Sequence, residues 1–367
     1  MRLLISIPVL LLLTACADAG YYWHSANAHL SMMNKRVDID EMLADTSLDD
    51  ELRGRLKSVQ QMREFSIERL ALPDNGSYSS YVELDRPYVL QNLFAATEFS
   101  TRLHSWCYPI IGCTSYRGYY DETRLQSYVE TLQNDGFEVY IGQVAAYSTL
   151  GWFDDPVLSS FIDWPDYRLA GLLFHELTHQ RVYIADDTGF NESLASAVQQ
   201  AGILLWLESG NQTTQLDSFR RWLIYRKRVI ALIGETRDEL TRIYQQDIAD
   251  SEKRRLKSQA FDRARGAHAE IARDHEIEQG FTRWFSSELN NAKIGSVATY
   301  SNLVPAFLDM IEAHGGDFEA FFTYVEKLGD LEKQERDSCL QIWVERAGAE
   351  GKTCPINVGR MNSALQG

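Results

Sequence analysis

The stretch Phe174-His175-Glu176-Leu177-Thr178-His179 decides the reading of this chain. Histidines four positions apart share one face of a helix. Both imidazoles can then reach one Zn²⁺, with the intervening Glu beside an open coordination position. The flanks predict that helix. Residues 168–183 read RLAGLLFHELTHQRVY, Leu169, Leu172, Leu173, Phe174 and Leu177 supply apolar packing, and Trp164-Pro165-Asp166 suits a helix start. The bland alternative is a pair of core or surface histidines with no ligand role.

A catalytic zinc site needs a third protein ligand. Residues 185–190 form a turn signal, and Asn191-Glu192-Ser193-Leu194-Ala195 restarts a helical pattern. This Asn-Glu-x-x-Ala order resembles the second-helix motif of zincins that take a Glu as third ligand. Glu192 follows His179 by thirteen positions, a shorter spacing than in the best-known members. Asp186 and Asp187 are rival ligands, whose other roles are a solvated turn residue and a helix N-cap. With two His and one Glu as ligands, the metal keeps a water in its fourth position and lowers that water's pKa toward about 7. Glu176 is then general base, not ligand, passing the water's proton to the leaving amine.

The start of the chain carries an address. Met1-Arg2 precedes the apolar run LLISIPVLLLLT at 3–14, too short to span a bilayer comfortably, which reads as a signal peptide over residues 1–15. Leu13-Thr14-Ala15-Cys16 resembles a bacterial lipobox, making Cys16 the lipid-modified first residue of a chain running 16–367. Ala17 follows, not the Asp associated with inner-membrane retention. The resemblance implies anchorage in the outer membrane, facing the periplasm. An ordinary secreted protein is the alternative.

Cysteine usage agrees with an oxidising compartment. Cys107, Cys113, Cys339 and Cys354 remain, an even number with three pairings open, of which the two local ones are expected: Cys107–Cys113 and Cys339–Cys354. No C-x-x-C spacing supports a metal role. The net charge of −16 argues against nucleic-acid binding and against docking on anionic lipid by charge. Membrane attachment is expected through the lipid alone.

Most of the chain reads as helix. Residues 49–69 carry Leu52, Leu56, Val59, Met62 and Phe65 at helical spacing, and Pro73-Asp74-Asn75-Gly76 marks a turn. Residues 80–97 read as strand, as do 137–141 and 144–147, with a break near Gly142. Val144 to Tyr147 could pair with an extended peptide, although a plain sheet strand is the simpler reading. From Thr214 to Glu278 long charged helices follow, one ending near Gly234 and a second starting around Leu240. Their intermingled charges fit a solvated helical hairpin, with His268 and His275 at its surface. A sub-domain boundary is expected near 211–213. His314-Gly315-Gly316-Asp317 reads as a helix stop.

These pieces resemble the bacterial predicted zinc aminopeptidase lipoproteins. The matching stretches are YVELDRPYV at 81–89, PIIGC at 109–113, YRGYY at 116–120, AYSTLGWFDDP at 146–156, the H-E-x-x-H region through Glu192, NNA at 290–292, SVATY at 296–300 and VPAF at 304–307. The resemblance implies a gluzincin-like metallopeptidase using one Zn²⁺ held by His175, His179 and Glu192. It also implies an α+β, helix-rich, zincin-like fold, with a small sheet beside the metal helix and a long helical C-terminal part. Tyr300 is the first candidate for stabilising the oxyanion, with Tyr147 and Tyr119 as alternatives. An aminopeptidase must also hold the substrate's ammonium. Glu98, Asp154, Asp155 and Asn291 are available, and no Gly-x-Met-Glu-Asn sequence occurs. The expectation is peptide hydrolysis of aminopeptidase type. An envelope endopeptidase or processing protease is the alternative enzyme, and a noncatalytic zincin-fold lipoprotein the alternative of another class.

Overall fold

The computed structural model describes residues 6–108, 112–146, 148–275, 277, 280–298, 303–345, 354 and 356, with side chains from residue 20 onward, Ala298 and Glu345 excepted. The chain opens with helix α1 (Ser6–Met33), strand β1 (Val37–Asp38), α2 (Ile39–Ala44) and α3 (Asp50–Leu70). A strand-rich stretch follows: β2 (Ser80–Val82), β3 (Leu90–Thr97), β4 (Trp106–Tyr108), β5 (Gly112–Thr114), β6 (Arg117–Tyr119), α4 (Glu122–Asn134), β7 (Phe137–Val144) and β8 (Val157–Leu158). The remainder is helical: α5 (Asp166–Arg181), α6 (Thr188–Ser209), α7 (Thr213–Tyr244), α8 (Asp250–Asp274), α9 (Thr282–Ser286), α10 (Asn291–Ala298), α11 (Val304–Ala313), α12 (Phe318–Gly329) and α13 (Lys333–Glu345). This is a helix-rich α+β chain. Among the described residues, no helix is long and apolar enough to cross a membrane.

Aspartates set many of the helix starts. Asp38, Asp49, Asp121, Asp187 and Asp317 accept backbone N–H groups at the first turns of α2, α3, α4, α6 and α12. Each satisfies amides that no carbonyl can reach and places negative charge at the positive end of the helix dipole. Part of the acidic excess is thus structural.

Among the described residues, three small sheets lie beside these helices. β3 is central to the antiparallel order β6-β3-β7, β4 and β5 form a hairpin, and the third sheet runs β1-β2-β8. The strand expected over 80–97 is two strands, because the Asp85-Arg86-Pro87 segment leaves the ladder and Arg86 instead holds the carbonyls of Tyr88 and Val89. The break expected near Gly142 does not occur. Gly142 pairs opposite Asn92 within the continuous β7, since a glycine still offers both ladder groups. Val144 closes that strand against Leu90, at the sheet edge.

The main core joins α3, α5, α6, α11, α12 and α13 through Leu56, Met62, Leu173, Phe174, Val198, Phe307 and Phe321, all buried. A separate cluster fills the hairpin of α7 and α8 around Tyr225, Val229, Ile233 and Phe261. Helix α7 does not stop at Gly234. It continues to Tyr244, because burial of Ile233, Leu240 and Ile243 outweighs a glycine cost of about 1 kcal/mol. His268 is not at the surface either: it is 4 % exposed, 2.9 Å from the Tyr225 hydroxyl and stacked on Phe285. His275 is only partly exposed. The gap between α6 and α7 falls at 210–212, and Leu216 and Phe219 beyond it pack with Ile203 and Leu207 before it. Disulfides join Cys107 to Cys113 and Cys339 to Cys354.

Candidate metal centre and its cavity

α5 starts at Pro165-Asp166, where Arg55 of α3 holds the Asp166 carboxylate and the carbonyls of Ile162 and Trp164. Its far end is tied by Gln180, which donates to Asp155 Oδ2 at 3.0 Å. The metal-motif helix is therefore fixed at both ends. Between them, Leu169, Leu173, Phe174 and Leu177 face the core, and His175 and His179 face a cavity.

The turn into α6 explains how so short a spacing works. Asn191 accepts from the Ile184 N–H at 2.9 Å and donates to the Ile184 carbonyl at 2.7 Å, stapling the turn. Asp186 takes a left-handed backbone, φ 63°, and Asp187 caps α6. The two helices then pack antiparallel at close range. A Cβ on Gly202 would lie 2.7 Å from the Phe174 ring, and one on Gly171 would lie 2.5 Å from the tip of Ile203, so a side chain at either crossing forces its neighbour to shift.

That approach brings Glu192 to both histidines. Its Oε2 lies 3.3 Å from His175 Nε2 and 3.8 Å from His179 Nε2, and the two Nε2 atoms are 3.2 Å apart. Two ligands about 2.0–2.1 Å from a tetrahedral ion lie about 3.3 Å from each other, so the three atoms match a shared ion. Two imidazole nitrogens facing each other at this distance also require a proton or cation between them. Among the described residues, His175, His179 and Glu192 are the group of His, Cys, Asp and Glu able to hold a metal. Asp186 and Asp187 point elsewhere. Asp186 Oδ1 accepts from the Cys113 N–H at 2.7 Å, and Asp187 is met by Lys333 and Arg336 of α13.

Burial and charge tune the four groups against one another. Burial raises the Glu176 carboxyl to about 7; His175 opposes the rise, while Glu192 and Asp155 add to it. Burial lowers His179 to about 4 against the pull of Glu192. For His175 burial is outweighed by the hydrogen bond and charge of Glu192 and by the charge of Glu176, which hold it above the ordinary imidazole value. Glu192 is held below the usual carboxylate range: the charge of His179 and the hydrogen bond to His175 overcome its burial.

The cavity above these groups has a volume of about 770 Å³ and mostly apolar and aromatic walls. Sequence reasoning singled out none of the six tyrosines described in these walls, Tyr21, Tyr22, Tyr108, Tyr116, Tyr120 and Tyr183. Tyr116 and Tyr183 both feel the charge of Glu192, and burial raises both phenols above their ordinary value, Tyr116 the further. Tyr21 comes from α1, where it donates to the Gly118 carbonyl at 2.9 Å and lies under the Arg117 guanidinium. No local pattern distinguished these from the chain's other tyrosines. Tyr119 turns away from the cavity into the cluster around Leu93 and Leu125. Tyr300 and Tyr147 lie outside the described residues.

The four candidates for holding an ammonium are engaged away from the cavity. Glu98 forks with Arg254 at 2.6 and 2.9 Å. Asn291 joins Tyr244 to the Thr97 and Glu98 carbonyls. Asp155 is buried against Thr149 and Gln180, and Asp154 lies beside Gly76. Among the described residues, Glu176 and Glu192 are the only carboxylates lining the cavity.

A family model described as putative aminopeptidase matches residues 20–340. No curated protein and no solved structure matches the chain.

Proposed function

The chain belongs to the putative aminopeptidase family, and from that premise we propose that it is a zinc-dependent peptidase acting through His175, His179, Glu192 and Glu176. The observation that carries the reading is the convergence of three ligand atoms at 3.2–3.8 Å beside a buried carboxyl. When bound, zinc supplies polarisation of the scissile carbonyl and a lowered pKa for water at the site. His175, His179 and Glu192 hold it. The carboxylate of Glu176 accepts the water's proton and returns it to the departing amine, a task suited to a carboxyl that lines the cavity beside the three ligand residues. Tyr116 and Tyr183 are neutral hydroxyl donors beside the reacting groups, and Tyr300 keeps its proposed role at the oxyanion. Walls of leucine, tyrosine and tryptophan exclude water and favour apolar side chains next to the cleaved bond.

Removal of single N-terminal residues is the mode the family description carries. Cleavage within longer chains is favoured by one observation: among the described residues, no carboxylate besides Glu176 and Glu192 lines the cavity to receive a free ammonium. Lipid attachment at Cys16, on the periplasmic side of the outer membrane, is part of the proposal. It is supported by the basic and apolar start of the chain and by two paired disulfides.

Metal analysis of the full chain and of Glu176→Gln, with mass spectrometry of a mixed peptide library, tests this. Near-stoichiometric zinc in both and cleavage by the wild type alone is the expected result. Single N-terminal losses separate the first mode from the second. A chain that takes up no zinc overturns the reading.

A further inference from the structure

Trp164 and Leu172 line not only the catalytic cavity but also a second, larger cleft of about 1450 Å³ bounded by α5, α6, α7 and α9. Gln199, seven positions after Glu192 on α6, also lines that cleft. The two spaces therefore share a wall at α5.

Its charge is opposite to that of the protein. On a chain of net charge −16, the described lining contains Arg168, Arg226 and Arg283 and no Asp or Glu. Arg181, Arg254 and Arg336, outside the cleft, are each met by a carboxylate, and Arg86 by three carbonyls. Among the described residues, no carboxylate meets the three in the cleft. The Arg168 guanidinium lies over the Trp164 ring, 4.5 Å from its centroid, and that of Arg226 over the Trp222 ring at 5.8 Å, contacts that leave their N–H groups available to an anion. Arg226 is half-buried, and that burial lowers its pKa with no anion to oppose the effect. Leaving a guanidinium partly desolvated and unpaired is costly, and an incoming carboxylate would relieve that cost with a two-pronged, charge-assisted contact.

We propose that this cleft is a carboxylate-binding extension of the catalytic cavity, in which Arg226, flanked by Arg168 and Arg283, holds a carboxylate of the bound peptide distant from the cleaved bond. The proposal rests on the peptidase reading for the identity of its occupant. The carboxylate is either the peptide's free C-terminus or an acidic side chain.

The test is binding without turnover, in the full chain carrying Glu176→Gln. Three fluorescent peptides of six residues share an apolar N-terminal half: one ends in a free acid, one in an amide, and one in an amidated glutamate. The free acid or the glutamate peptide is expected to bind about tenfold tighter than the plain amide. Arg226→Gln should bring the tighter peptide to the level of the plain amide while changing the Kd of the amide less than twofold. Arg168→Gln with Arg283→Gln, both exposed, should reduce the preference several-fold without touching the interior. Preference for the free acid identifies the C-terminus, and preference for the glutamate peptide an acidic side chain. Equal affinity for all three, or a preference untouched by the arginine variants, overturns the proposal. Wild-type hydrolysis of the same peptides is read separately: preference without hydrolysis would remove the peptidase reading and leave the cleft assigned.

Discussion

Arg336 of α13 donates to Asp187 Oδ2 at 2.8 Å, tying the N-cap of the Glu192 helix to a segment 149 residues away. Both side chains are buried, and the same carboxylate caps α6 through the Phe190 N–H. Arg336→Met should lower the unfolding free energy by about 3 kcal/mol, because it strands a buried carboxylate with only Lys333 at 3.1 Å to answer it. Lys333→Met removes a largely exposed partner and should cost less than about 1 kcal/mol. Urea titration distinguishes the two, and equal losses would show that burial does not set the strength of this pair.

The close crossing of α5 and α6 gives a prediction that joins packing to metal binding. Gly202→Ala places a methyl against Phe174 and Leu70, at 2.7 and 2.8 Å. The helices must separate, at a cost of about 1–3 kcal/mol, and Glu192 moves with α6. Weaker zinc binding in a competition titration is expected along with the lower melting temperature. Unchanged affinity would mean that the ligand cluster does not depend on this contact.

How much of this was readable in the chain follows a physical division. The helix bearing His175 and His179 and the restart at Asn191 were legible, because ligand spacing, apolar period and turn chemistry are local. The role of Asn191 as the staple of the turn was not, since its partner Ile184 is identified only once the chain doubles back. Helix α7 was misread at Gly234 because a single glycine looks like a stop until the packing of Ile233 and Leu240 is known. The same holds for His268, whose partner Tyr225 lies 43 residues away. Tyr21 and the arginine-lined cleft were invisible, as both arise from contacts between distant segments.

Asp155 gives a pH dependence of definite sign. Burial raises its carboxyl to about 6, so the folded chain binds this proton more tightly than the unfolded chain, where the value is about 3.9. Its contribution to stability is largest below about pH 4 and is lost as pH rises to about 6. The loss is on the order of 2–3 kcal/mol. Asp155→Asn should flatten that part of the stability curve relative to the wild type. Parallel curves in thermal melts between pH 4 and pH 7 would exclude Asp155 as the titrating group.

The Cys107–Cys113 bridge closes the hairpin of β4 and β5, whose Tyr108 and Thr114 line the catalytic cavity and whose Cys113 amide holds Asp186. Replacing both cysteines by serine should cost about 2 kcal/mol and raise KM several-fold. Little change in kcat is expected, because the proposed ligands His175, His179 and Glu192 lie on α5 and α6. Steady-state rates on one peptide decide it: a loss confined to kcat would place the hairpin in the chemical step instead.

Tyr21 supplies a wall of the cavity from α1, five positions after Cys16. Along a helix, five residues advance about 7.5 Å. If Cys16 carries the lipid, tether and working surface are parts of one short rod, and the mouth of the cleft is held within a few side-chain lengths of the bilayer. The same arrangement limits how the chain can be shortened. A soluble version cut at residue 17 keeps the wall, whereas one cut beyond Tyr22 opens the cavity on that side.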